Sequence, residues 1–132
     1  LALQVAAGPT RTVLASESGV LALKEQDRAE AEAELSALLQ AWSTGMRQPL
    51  PVACRTAFAD LTGKNAVAEY DGAWNRDGEA RRPALARAYP SFAVLSAAAT
   101  PDGLRFAAWR DRLYAPLWHA LGSPRQGAED QA

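Results

Sequence analysis

Histidine, lysine, cysteine and methionine are all scarce in this sequence: 132 residues hold one His, one Cys, one Met and only two lysines, Lys24 and Lys64. Each scarcity excludes something. A lone Cys54 has no partner for an internal disulfide and no CxxC companion, which argues against an exported or zinc-stapled fold and for a cytoplasmic setting. A lone His119 removes His-rich metal sites and any two-histidine mechanism, and its place beside Trp118 suits a structural role. Two lysines remove a nuclease motif. The (D/E)xK arrangement needs an acid two residues before the lysine, and those positions are Ala22 and Thr62. Gly63-Lys64 is followed by Asn65 and preceded at the required spacing by Phe58, so no phosphate-binding GxxxxGK[ST] loop is encoded. Ser18-Gly19 lacks the rest of a GxSxG elbow. No apolar run approaches the roughly 18 residues of a membrane span, and the first residues lack the pattern of a signal peptide. Because the sequence opens on Leu1, it reads as a piece of a longer chain.

Charge of one sign is also missing. Fourteen basic and fifteen acidic residues leave a net −1, which argues against an autonomous DNA binder. Arg76, Arg81, Arg82 and Arg87 form a possible basic patch, but Asp77 and Glu79 interrupt it and suggest a solvated face.

What is present is a helical pattern. With 48% hydrophobic residues the chain fills one compact domain, expected over 1–122, with a flexible tail over 123–132. Leu1 to Ala7 reads as a short helical end stopped by Gly8-Pro9. Arg11 to Ala15 and Val20 to Leu23 predict a hairpin around Ser16 to Gly19. Such a hairpin should pack on a helix or extend a sheet, because two strands alone are marginal. Asp27 to Thr44 predicts a long helix: Asp27 and Glu30 resemble a capping box, and Ala31, Leu35, Leu38, Leu39, Trp42 and Met46 mark one buried face. Its acidic first half would repel phosphates. Pro49-Leu50-Pro51 predicts an extended turn seating Leu50 against that helix.

Further helices are expected from about Arg55 to Thr62, with Cys54, Phe58 and Leu61 facing the core, and from near Lys64, with Val67, Tyr70 and Trp74 facing it. Asp71 to Pro83 reads as an exposed loop, followed by short helices over 84–88 and 92–98. Thr100-Pro101-Asp102 is expected to open a last helix carrying Phe106, Trp109, Leu113, Leu117 and Leu121, kinked near Arg112 to Ala115 by Pro116 and closed by Gly122. Cys54 is expected to be a buried, inert thiol. Tryptophans fill cores, anchor partners or stack on bases. Trp42 and Trp109 fit the core, whereas Trp74, Tyr114 and Trp118 are the candidate partner contacts.

The stretch LLQAWSTGMRQPLPVACRTAFADL, a Leu-rich helix ending in a Pro-Leu-Pro turn, resembles the C-terminal region of RecC, the gamma subunit of bacterial exodeoxyribonuclease V (RecBCD). GEARRPALARAYP and FAAWRDRLYAPLWHAL resemble that family's Tyr-Pro segment and closing helix. The resemblance implies an α/β fold, predominantly helical with a short β-hairpin, forming part of a degenerate PD-(D/E)xK nuclease-like domain without metal ligands. It further implies a non-catalytic structural role in DNA double-strand-break end processing and recombinational repair, as scaffold and strand guide. The implied partners are the helicase-nuclease (beta) and helicase (alpha) subunits, with DNA reached through the assembled complex. Catalytic, cofactor-binding and metal residues are expected to be none, and no residue matches a motif assignable to DNA contact. The alternatives are an independent helical protein-interaction module or a small enzyme with an unrecognised site.

Overall fold

A computed structural model describes residues 1–17 and 19–121; the expected closure at Gly122 and the tail over 123–132 lie outside the described residues. The chain divides into two compact units, one built from residues 1–41 and 116–121, the other from Trp42–Ala115.

The first unit opens with α1 (Ala2–Ala7), ended by Gly8 at φ +83°. β1 (Val13–Ser16) and β2 (Gly19–Ala22) pair antiparallel, with Val13 opposite Ala22 and Ser16 opposite Gly19. Ser16 and Gly19, expected in the loop, belong to the ladder. All eight strand residues are exposed, and among the described residues this sheet has two strands. The Lys24 N–H donates to the Ala120 carbonyl in α8 (Ala115–Ala120), 3.2 Å away.

α2 (Arg28–Gly45) starts in the first unit and ends in the second. Its start is the expected capping box: the Glu30 N–H donates to Asp27 Oδ1 at 2.8 Å, and the Asp27 N–H donates to Glu30 Oε2 at 3.3 Å. The expected buried face is a correction. Ala31 and Ala41 are buried, while Leu38, Leu39, Trp42 and Met46 are exposed, because periodicity aligns apolar side chains without supplying anything to cover them.

In the second unit Leu50 is half-buried against the end of α2, where a Cβ on Gly45 would lie 3.7 Å from Leu50 Cγ and Cδ1. α3 (Cys54–Leu61) buries the small residues Thr56, Ala57 and Ala59. Cys54, expected inside, is exposed, since as the first residue of α3 it lies off that small-residue face. α4 (Ala66–Asp71) is capped by Asn65, whose Oδ1 accepts from the Ala68 N–H at 3.0 Å. Of its expected stripe only Tyr70 is buried; Val67 is exposed, and Trp74 lies beyond the helix.

The expected loop over 71–83 is partly ordered: β3 (Gly72–Ala73) and β4 (Arg76–Asp77) form a small hairpin, and one 3₁₀ turn spans Glu79–Arg81. α5 (Pro83–Ala88) places proline at its first position, and α6 (Phe92–Ala97) is capped by Ser91. Thr100-Pro101-Asp102 does not open a helix. The Thr100 hydroxyl bonds Asp102 and the Leu104 carbonyl, and Gly103 takes φ +81°, which makes a turn ahead of α7 (Phe106–Leu113). The interruption expected from Pro116 falls at Tyr114, between α7 and α8.

The core of this unit is aromatic. Ala53, Tyr70, Tyr89, Leu95 and Phe106 form one cluster, with Phe92 edge-on to both Tyr70 and Phe106. The Tyr70 hydroxyl donates to the Tyr89 carbonyl and the Tyr89 hydroxyl to the Pro49 carbonyl, each at 2.7 Å. Burial pushes the Tyr70 phenol up to about 12, helped by the charges of Glu79 and Asp71, and pushes Tyr89 up as well.

Candidate functional site

Among the described residues no group of three His, Cys, Asp or Glu side chains comes together. Two exposed surfaces stand out among the described residues: the uncovered apolar stripe of α2 and the β3–β4 hairpin.

The stripe follows from heptad-like spacing. Leu38, Leu39, Trp42 and Met46 recur at helical steps, and exposure rises along them from 41% and 58% to 67% and 70%. The acids Glu30, Glu32 and Glu34 lie in the first two turns, where Arg28 pairs with Glu32 at 2.8 Å. Three large apolar side chains left open on α2, with Met46 just past its end, are more than scattered surface hydrophobicity.

The hairpin is fixed from below. A Cβ on Gly78 would fall 2.1 Å from the Tyr70 carbonyl oxygen and 2.3 Å from the Gly72 nitrogen, so the backbone closes on itself there and only glycine fits. Arg76 pairs with Glu69 at 2.8 Å, and Arg55 grips the same carboxylate. The hydrogen bond from Arg55, outweighing partial burial, holds the Glu69 carboxyl below its usual range, with the charges of both arginines adding to it. The hairpin's two turn residues are Trp74 and Asn75, and Trp74 is fully exposed. Beside it lies a polar cleft of about 310 Å³, lined in part by Asp71, Trp74, Arg76 and Arg81.

Glu79 is the residue that sequence reasoning missed. Expected to interrupt a surface patch, it is instead 3% exposed and caps α3: Oε2 accepts from the Thr56 N–H and hydroxyl, both at 2.9 Å, and Oε1 from the Arg55 N–H at 3.2 Å. No local signal announces a cap supplied from more than twenty positions downstream. The consequence for the surface is that, of the two acids expected to interrupt the patch, only Asp77 meets it, paired at 3.2 Å with Arg81, while Arg76 pairs with Glu69. Arg82 and Arg87 are exposed and form no ion pair among the described residues.

The other two candidate contacts are less open than Trp74. Tyr114 is half-buried, its ring edge-on to Phe58 at 5.5 Å. Burial first, then the Cys54 and Glu79 charges and a hydrogen bond with Cys54, push its phenol up to about 12. Trp118 is half-buried in the first unit. Trp109 is buried, as expected, and donates from Nε1 to Thr100 Oγ1 at 3.3 Å; Trp42, expected in the core, is exposed. His119 lines a cleft of about 400 Å³ with Lys24, Glu30 and Glu34.

No helix of the described residues is long and apolar enough to cross a membrane. Residues 1–64 match the family model of the RecC C-terminal domain, a stretch that includes the hairpin β1–β2, all of α2 and α3. No curated protein and no solved structure matches the chain.

Proposed function

With residues 1–64 identified as RecC C-terminal domain sequence, we propose that the chain is a non-catalytic structural domain of the exodeoxyribonuclease V gamma subunit. In this reading it supports DNA double-strand-break end processing and recombinational repair in the cytoplasm as a scaffold and strand guide, built on a nuclease-like domain stripped of its metal ligands. The observation that carries the reading is the coincidence of the family match with the open apolar stripe: α2 lies inside the matched segment, and a buried contact there gives a subunit interface its apolar centre. The partners are the helicase-nuclease (beta) and helicase (alpha) subunits, and the missing (D/E)xK and phosphate-loop motifs leave cleavage and ATP hydrolysis to them.

The test is capture of the 132-residue chain, and of a longer gamma chain containing it, by purified beta and alpha subunits from the same source. Specific capture, lost when Leu39 and Trp42 are both changed to Gln, supports the scaffold. Failure of both chains to bind, with both folded, points instead to an independent helical interaction module. Metal-dependent DNA cleavage by the pure chain overturns the non-catalytic reading.

A further inference from the structure

The β3–β4 hairpin has a geometry that the scaffold role leaves unused. An indole that is fully exposed costs water structure and gains no packing, yet the backbone beneath it is locked by the Gly72–Gly78 approach and by Glu69 bridging Arg55 and Arg76. Trp74 is thus held out as a post on a fixed backbone.

Two kinds of macromolecule use such a post, and the surroundings separate them. A tryptophan that anchors a protein partner sits amid other apolar groups that exclude water when the interface forms. Here the cleft is lined by Asp71, Asn75, Arg76, Asp77 and Arg81, with the exposed Arg82 next in sequence and no large apolar side chain among them. A nucleobase needs only the π-face, and its phosphates need guanidinium groups nearby. The charges agree. Residues 42–115 carry ten basic and seven acidic side chains, a net of +3, and one of those acids, Glu79, is turned inward to cap α3. Residues 1–41 with 116–121 carry three basic and six acidic ones, a net of −3, so the overall balance of −1 hides a positive unit. Arg82 has no ion-pair partner among the described residues. The Arg81–Asp77 pair is about three-quarters exposed at both ends, so a phosphate competes with it at little cost.

We propose that Trp74 is a stacking site for an unpaired base of a single-stranded nucleic acid, with Arg81 and Arg82 holding the adjoining phosphates. The proposal rests on the strand-guiding reading and gives it a point of contact.

The experiment titrates the 132-residue chain with a fluorescein-labelled oligothymidylate and with the same length of duplex. Anisotropy is read at several salt concentrations, and tryptophan emission is followed in parallel. The expected result is salt-dependent binding of the single strand over the duplex with quenching of Trp74 emission. Trp74→Ala should weaken binding about tenfold and abolish that share of quenching, and Trp74→Phe should restore part of the affinity. The Arg81→Ala, Arg82→Ala double variant should lower the salt slope. Equal melting temperatures establish that the variants fold. Absence of binding, or binding unaltered by Trp74→Ala, overturns the stacking site. So does a Trp74→Ala variant that keeps oligothymidylate affinity while losing capture by the beta or alpha subunit, because the post is then a protein anchor. Capture intact with no oligonucleotide bound removes this site and leaves the scaffold standing; binding intact with no capture does the reverse.

Discussion

Glu79 and Thr56 are joined twice, the Thr56 backbone N–H and hydroxyl both donating to one carboxylate oxygen at 2.9 Å inside a fully buried setting. The contact ties the 3₁₀ turn that follows the Trp74 hairpin to the first turn of α3. A negative group at a helix start also meets the positive end of the peptide dipoles. Glu79→Ala strands two backbone donors and a hydroxyl, and the expected cost is about 2–3 kcal/mol in urea unfolding. Glu79→Gln keeps an acceptor and should lose about half of that. Equal unfolding midpoints for the wild type and Glu79→Ala would remove the cap from the account of stability.

Glu69 gives the fold an acid-sensitive joint. Its folded pKa is depressed from 4.5, chiefly by the Arg55 hydrogen bond. A depressed carboxylate contributes stability that is present above its unfolded pKa and lost as pH falls through the folded value. The stability gap between wild type and Glu69→Gln should therefore be constant at neutral pH and shrink progressively below about 4.5. Both arginines are partly exposed, so screening keeps the gap at about 1 kcal/mol or less. Urea midpoints across that range read it directly. A gap that widens on acidification contradicts the pairing.

Local signals were legible and non-local ones were not. Asp27 and Glu30 sit three apart before an apolar run, and the structure makes both reciprocal bonds. Pro83, Ser91 and Gly63 punctuate helices where their chemistry says they should. The stripe of Leu38, Leu39, Trp42 and Met46 was legible as a face but not as an open one, because spacing carries no information on what covers it. Cys54 and Val67 fail for the same reason: the neighbouring elements bury Thr56, Ala57 and Tyr70 instead. At Thr100 a competing local bond won over proline's preference for a first helical turn. Trp74 was legible as a candidate contact and the arginines near it as a patch, while the inward turn of Glu79, set by its bonds to Thr56, was not.

Two glycines should respond oppositely to the same substitution. Gly45 ends α2 at a helical position, and an added Cβ meets Leu50 at an ordinary 3.7 Å. Gly45→Ala should stabilise by about 0.5–1 kcal/mol through reduced unfolded-state entropy. At Gly78 the added carbon would overlap three backbone atoms within 2.4 Å, none of them able to yield as a side-chain tip does. Gly78→Ala should cost about 3 kcal/mol or more and release the hairpin. Thermal melts of the pair settle both; a neutral Gly78→Ala would mean that the Gly72–Gly78 approach is not a fixed feature.

The α2 stripe makes the sharpest separation between stability and interaction. Leu39 and Trp42 are exposed, whereas Ala41, between them in sequence, is 3% exposed. If the stripe is an interface, Leu39→Gln with Trp42→Gln should change unfolding free energy by no more than about 0.5 kcal/mol while lowering self-association and abolishing subunit capture. Ala41→Gln, which forces a polar amide into a closed site, should destabilise by about 1–3 kcal/mol. Light scattering, urea unfolding and capture on the same three proteins distinguish the roles. Should the Leu39, Trp42 variant lose stability as heavily as Ala41→Gln, the stripe belongs to the fold of this chain and the docking surface lies elsewhere.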